Sequence, residues 1–259
     1  MKNPLKMLKS APTVSVIRLN GAIGTGRNSM NDASMASLIE KAFVKGKPKA
    51  IVLAINCPGG SPTQSALIAA RIRRLADEKS LPVYAFCEDV AASGGYWLAT
   101  AADEIYVDDN SIMGSIGVIS ASFGFHGFLA KHGVERRVHT AGTDKSMLDP
   151  FRPEREDDIV RLKDLQKQIH DNFIAQVKSR RGDKLSGDDL FTGEIWVGQK
   201  SVDNGLTDGV AHLVPKMKEI FGDNVKFRYL GQKKSMFSRI TGSVLNQIED
   251  RALWARFGL

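Results

Sequence analysis

The sequence predicts an α/β protein built on a largely parallel sheet. Two observations carry that prediction. Strand-like and helical runs alternate through the first part of the chain, and the run KAIVLAIN (49–56), bounded by Pro48 and Pro58, is apolar at nearly every position. Such a run suits a strand covered on both faces, which is where parallel sheets keep their strands. Composition agrees: 42% hydrophobic and 25% charged residues among 259 describe an ordinary folded chain and exclude a mainly disordered or collagen-like one.

The elements follow in order. VSVIRLNGAI (14–23) reads as the first strand and MNDASMASLIEKAFV (30–44) as a helix, followed by the buried strand 49–56. The next helix, 61–79, has Ser61 as N-cap and Pro62 at its first position, with Leu67, Ala70 and Arg74 on one stripe. LPVYAFCED (81–89), EIYVDD (104–109) and VERRVHTAG (134–142) read as strands, and a helix starts near Ser93. After Pro153 a long helix, 154–181, spaces Ile159, Leu162, Leu165, Ile169, Phe173 and Val177 by threes and fours. Shorter elements follow, among them DGVAHLV (208–214) and VKFRYL (225–230). The expected organisation is a basic segment 1–12, a catalytic domain 13–231 and a basic amphipathic tail 232–259. That tail suits a helix packed on its own domain, on a sister subunit or on a membrane surface.

Charge is unevenly spread. Residues 1–49 carry nine basic and two acidic side chains, residues 50–214 carry 18 and 23, and residues 215–259 carry nine and four. A mildly acidic middle argues against nucleic acid as a partner, while the basic ends suit an anionic membrane surface or simple solubility. Cys57 and Cys87 each end a β-like run, as buried thiols in a reducing compartment do, and two cysteines do not make a structural zinc site. No metal and no cofactor are expected. The opening MKNPLKMLKSAP has no apolar signal region, and the longest stretch without charge, 110–130, is broken by glycines and serines. The expected location is cytoplasmic, with peripheral contact at the inner face of the cytoplasmic membrane.

Three glycine-containing turns follow strand signals. NCPGGSP (56–62) lets backbone N–H groups approach a phosphate, a carboxylate or a reacting carbonyl, although a tight ligand-free connection has the same composition. VAASGGYWLATAAD (90–103) places Ser93 at a helix start, where a serine is either exposed to the N-terminal field or simply a cap. DNSIMGSIGVISASFGFHG (109–127) places Ser115 between Gly114 and Ile116.

The succession NCPGG, ASGGYW, MGSIGVI and then a lysine in AGTDKSMLDPF resembles the S49 family of serine peptidases, the signal peptide peptidase A and SohB group, from about Val14 to Val214. The resemblance implies a ClpP/crotonase-like fold with a single catalytic domain and a helical C-terminal extension. It implies a Ser/Lys dyad with Ser93 as nucleophile, Lys145 as general base and Ser115 as the hydroxyl that orients the lysine. The implied oxyanion hole comes from the N–H of Gly60, with Gly59 beside it, and from the N–H of Gly94. The chain shows no N-terminal spanning helix and is about half the length of double-domain members. Short members assemble the dyad between neighbouring subunits of a ring, so a homo-oligomer with sites at its interfaces is implied.

A lysine accepts a proton only when neutral, so Lys145 needs a desolvating environment, which MGSIGVIS is expected to supply. Asp144 and Asp149 are then expected to point away from the amine. A histidine base remains the alternative in a triad, but His126, His132, His139, His170 and His212 stand in ordinary helix or strand contexts. The leading expectation is a serine endopeptidase of hydrophobic peptides, such as signal-peptide remnants or membrane-protein segments. The rivals are a crotonase-type acyl-CoA enzyme and a non-catalytic membrane-associated scaffold. The first would need a carboxylate beside the oxyanion donors and would have no use for Ser93 with Lys145.

Overall fold

A computed structural model describes residues 11–25, 29–142, 145–231 and 254–258. These fall into two compact units, the described parts of Met1–Ile116 with Ile174–Leu259, and Gly117–Phe173.

The larger unit contains strands β1 (Thr13–Asn20), β2 (Ala50–Cys57), β3 (Val83–Ala92), β4 (Glu104–Val107), β5 (Ile112–Gly114), β6 (Ile195–Val197), β7 (Gly209–Val210) and β8 (Lys226–Leu230). They form one sheet in the order β6-β5-β3-β2-β1-β8, with β4 joining β3 to β7. Every pairing is parallel except β5 with β6. Strand β3 forks: Tyr84–Cys87 pair with β4, while Val90–Ala92 run on to pair with β5. The fork separates β4 from β5 and leaves the far end of β3 beside the end of β5.

Both faces of the central strands are buried, as the continuous apolar run requires. Val14, Val16, Val52, Ala54, Tyr84 and Phe86 cluster on one face with Tyr106, Met217 and Val225. Residues of the opposite register, among them Ile17, Leu19, Ile51, Leu53 and Ile55, are fully buried as well. Helix α1 (Asp32–Val44) begins in a capping box made by Asn31 and Ser34. Helix α2 (Pro62–Lys79) begins at Ser61, whose side chain accepts from the Gln64 N–H, and has Pro62 in its first turn. Cys57 and Cys87 are buried free thiols, and burial pushes the Cys57 thiol up to about 12.

The structure refines two expected elements and corrects a third. The buried stripe of α2 is Ser65, Ile68, Ala69, Ile72, Leu75 and Ala76, whereas Leu67 is 46% exposed and Ala70 and Arg74 also face outward. Residues 134–142 carry no strand: Val134 is 53% exposed, and no neighbouring strand offers that stretch a ladder among the described residues. In DGVAHLV only Gly209–Val210 are strand, and Leu213 already opens helix α7 (Leu213–Phe221). The expected tail helix falls largely outside the described residues. Of it, Trp254–Gly258 form a turn in which Trp254 O accepts from Phe257 N–H at 2.9 Å.

Between α2 and α7 lie α3 (Gly94–Ala99), α4 (His126–Lys131), α5 (Glu156–Arg181) and α6 (Gln199–Asp203). The apolar spacing of α5 holds throughout, yet Phe173 and Val177 are buried while Leu165 and Ile169 are exposed. In the smaller unit Phe125 N–H donates to Pro150 O, Phe125 stacks on Phe151 at 5.6 Å, and Arg136 lies over Phe151 and pairs with Asp149. No helix among the described residues is long and apolar enough to cross a membrane.

Candidate active site

The far end of β3 leads into Ser93 and then directly into α3. Ser93 has φ 52° and ψ −122°, a left-handed conformation that a side chain rarely adopts and that costs about 1–3 kcal/mol. Its N–H donates to Gly114 O at 2.7 Å, so the end of β5 holds the turn. This strand-to-helix turn presents a side chain rather than hiding it. The helix-cap alternative fails here: the Ser93 side chain makes no capping hydrogen bond, in contrast to Asn31 and Ser61 on the neighbouring helices.

The PGG turn lies against the same point. Gly59 has φ +110°, and a Cβ there would stand 2.8 Å from Ser93 Cβ and 3.1 Å from Gly94 N. Gly60 forms a parallel bridge with Ile23, in which Ile23 N–H donates to Gly59 O and Ser61 N–H donates to Ile23 O, both at 2.8 Å. In such a bridge the N–H of the bridged residue itself points away from the partner strand. The Gly60 N–H is therefore free of Ile23. A Cβ on Gly94 would stand 3.4 Å from Gly60 N, so these two amides are neighbours. Gly60 is exposed, Gly94 is buried and Ser93 is half-buried. The Gly60 and Gly94 amides thus lie close together at the Ser93 turn.

Ser115 follows β5 immediately, with φ 50° and 3% exposure. Its N–H donates to Glu194 O at 2.7 Å, and its Oγ accepts from Arg256 Nη2 at 3.4 Å. The larger unit thus brings Ser93, Ser115, Gly59, Gly60 and Gly94 to the adjoining ends of β2, β3 and β5. Lys145 belongs to the smaller unit and is exposed. Asp144 lies outside the described residues. The Phe151 N–H and Arg136 hold the Asp149 carboxyl below its ordinary range, so that carboxylate is already engaged.

Among the described hydrogen bonds none joins Ser93 to a histidine. His212 pairs with Asp108 at 2.8 Å, but Asp108 leaves the sheet level with Glu88, roughly 16 Å before Ser93 along β3.

Two residues at the site escaped the sequence reading. Asn56 donates to Asp89 and accepts from Val90 N–H, filling the irregularity where β2 and β3 lose register after Ile55. Ser65 is fully buried, donates to Ser61 O at 2.8 Å, and would stand 2.4 Å from a Cβ on Gly94. Asn56 stood inside the NCPGG motif, and Ser65 interrupts an apolar stripe; both are signals only once the stripe is assigned to the correct face.

A sequence profile of Peptidase family S49 matches residues 75–219. A protein of Brucella melitensis biotype 1 named Na(+)/H(+) antiporter NhaA is 46% identical, over 95% of this chain and 37% of its own. A putative signal peptide peptidase SppA of Enterococcus faecium is 30% identical, over 76% of this chain and 59% of its own. The chain therefore spans little more than a third of the first relative's length. Among solved structures, a lysine-to-alanine mutant of a membrane-bound stomatin-specific protease in complex with a substrate peptide superposes with TM-score 0.56. It is 15% identical, over 92% of this chain and 99% of that one. The likeness shows the fold, which is ClpP/crotonase-like.

Proposed function

The chain belongs to peptidase family S49, and on that premise we propose that it is a serine endopeptidase with Ser93 as nucleophile, Lys145 as general base and Ser115 as the hydroxyl orienting the lysine. One observation carries the reading. The Ser93 hydroxyl sits on a strained turn, is withheld from capping its own helix, and stands beside two neighbouring backbone amides.

In the proposed reaction Ser93 Oγ attacks the scissile carbonyl and passes its proton to Lys145 Nζ. The oxygen that gains charge accepts hydrogen bonds from the N–H groups of Gly60 and Gly94, and each such donor is worth about 10²–10³ in rate. Collapse of the tetrahedral species breaks the C–N bond as the lysine gives its proton to the leaving amine. Water, giving a proton to the Lys145 amine, then adds to the acyl carbon, and the C–Oγ bond breaks as Lys145 returns that proton to Ser93 Oγ.

An amine in water is protonated at neutral pH, so an exposed lysine cannot act as a base until something covers it. A second copy of the chain is the proposed cover, with Ser93 of one subunit facing the lysine of the next in a ring. The proposed substrates are hydrophobic peptides, such as signal-peptide remnants or membrane-protein segments; the name of the Enterococcus relative supports that class. The proposed catalytic domain is 13–231, and the basic ends 1–12 and 232–259 supply peripheral attachment at the cytoplasmic face of a membrane.

A fluorophosphonate probe read by intact mass tests the assignment. One adduct on Ser93, lost in Ser93→Ala, is expected, together with absent peptide turnover in folded Lys145→Ala. Undiminished labelling of Ser93→Ala, or near wild-type turnover in Lys145→Ala, would refute the dyad.

A further inference from the structure

The short helix behind Ser93 is finished at its far end by two guanidiniums. Every carbonyl from Tyr96 to Ala102 has a partner. Tyr96 O accepts from Thr100 N–H, Trp97 O from Thr100 Oγ1, Leu98 O from Ala101 N–H and Ala99 O from Ala102 N–H. Beyond the helix, Thr100 O accepts from Arg180 Nε at 2.9 Å, Ala101 O from Arg73 Nη1 at 3.1 Å and Ala102 O from Arg180 Nη2 at 3.0 Å. Asp103 Oδ1 bridges Arg73 and Arg180 at 2.9 and 3.4 Å, while its other oxygen accepts from Val83 N–H at the start of β3. Gln176 adds a hydrogen bond to Thr100 Oγ1 at 3.1 Å.

The opposite end of α3 has no side-chain cap. Six residues that begin with two glycines make a poor helix by themselves. Side chains on the N-terminal residues stabilise α1 and α2, but at α3 that solution would consume the Ser93 hydroxyl and the adjacent amide. Cations at a helix C-terminus stabilise the same element without touching its N-terminus. They also arrive from two different elements, Arg73 from α2 and Arg180 from α5, and so fix the direction of the helix as well as its stability.

We propose that Arg180, assisted by Arg73, is a positioning residue for the peptidase reaction: it holds α3 so that Ser93 Oγ and the Gly94 N–H stay aligned with the Gly60 N–H. The inference rests on Ser93 being the nucleophile. A helix of six residues is a lever of about 9 Å, and a catalytic constellation tolerates only about 0.5 Å of displacement. Releasing the C-terminal end therefore acts on the chemical step, while the surfaces that bind the rest of a peptide are left alone.

The test compares Arg180→Gln, Arg180→Lys, Arg73→Gln and the Arg73→Gln/Arg180→Gln double variant with wild type, well below each melting temperature. Arg74→Gln serves as the control, since among the described residues Arg74 pairs only with Glu78 on the surface of α2. In Arg180→Gln, kcat is expected to fall about tenfold with KM within about twofold. Affinity for a peptide boronate, whose tetrahedral adduct uses the oxyanion donors, should weaken by the same factor. Arg180→Lys keeps the cation but not the two-carbonyl fork and should recover part of both losses; Arg74→Gln should change neither. If Arg180→Gln does not fold, Arg180→Lys and Arg73→Gln carry the same comparison. Folded variants with kcat and boronate affinity within twofold of wild type overturn the inference while Ser93→Ala is inactive. Turnover retained in Ser93→Ala would instead remove the nucleophile assignment, and this inference with it.

Discussion

At Gly59 two independent constraints meet on one residue. The backbone has φ +110°, which a side chain adopts only at a cost, and the place a Cβ would take is 2.8 Å from Ser93 Cβ and 3.0 Å from Ala92 O. Both obstacles are close to the backbone, so neither can swing aside. Gly59→Ala is expected to lower kcat/KM by about a hundredfold, because the displaced atom is the attacking residue itself. Stability should fall by about 1–3 kcal/mol from the strained backbone. Gly127→Ala, where the added methyl meets nothing within 4 Å, provides the neutral comparison. Peptide hydrolysis and denaturant melts on the two variants check the pair of effects. An active Gly59→Ala would mean that the PGG turn does not abut the nucleophile.

Among the elements, α5 is tied to the sheet by an ion pair that sets how the protein responds to acid. Arg181, with a side chain only 2% exposed, donates to Asp208 at 2.7 and 3.1 Å and to Gly205 O, and Lys184 adds a third contact. Burial by itself would raise the Asp208 carboxyl, but the hydrogen bonds from Arg181 and Lys184 and from the Ile105 N–H outweigh it and leave the group below its ordinary value. A carboxyl lowered by folding contributes stability that is fully present above its unfolded value, near about 4, and is lost as pH falls through the lower folded value. Melting temperature is therefore expected to drop below about pH 4, and Asp208→Asn should flatten that part of the profile. At neutral pH the same substitution leaves Arg181 buried without its counter-charge and should cost about 3–5 kcal/mol. Thermal melts from pH 7 to pH 3 on both proteins measure slope and offset together. An acid limb unchanged in Asp208→Asn would assign the acid sensitivity to other carboxylates.

For the whole molecule, the question is whether one chain holds a complete site. Lys145 is exposed, as the proposed cover by a neighbouring copy requires. Inactive Ser93→Ala and Lys145→Ala chains, mixed with subunit exchange, should then regain activity. An intact Ser93 meets an intact Lys145 at about a quarter of the interfaces of an equimolar closed ring. Peptide turnover measured against each variant alone, with the mass of the mixed oligomer determined in parallel, gives the answer. No recovery in verified mixed oligomers would place both dyad members in one chain and leave the peptidase assignment intact.

What the sequence determined by itself was local. The strand buried on both faces, the cap at Ser61 with Pro62 in the first turn, and the two glycines that follow Ser93 all obey steric and hydrogen-bonding rules acting within a few residues. Motif order then identified five residues that the larger unit gathers at adjoining strand ends, Ser93, Ser115, Gly59, Gly60 and Gly94. Other features depended on which surface meets which. Spacing alone put Leu67 and Ala70 on a common stripe, yet only packing turns Ile68 and Ile72 inward and leaves Leu67 in solvent. A strand-like composition at 134–142 became no strand, since a ladder needs a partner edge and none is supplied to it among the described residues. Nothing in the sequence singles out Arg180, and it becomes a partner of Thr100 and Ala102 only when residues about eighty positions apart are brought together. Short-range rules are written in consecutive residues, whereas the pairing of a guanidinium with a distant carbonyl is decided by the path of the backbone between them.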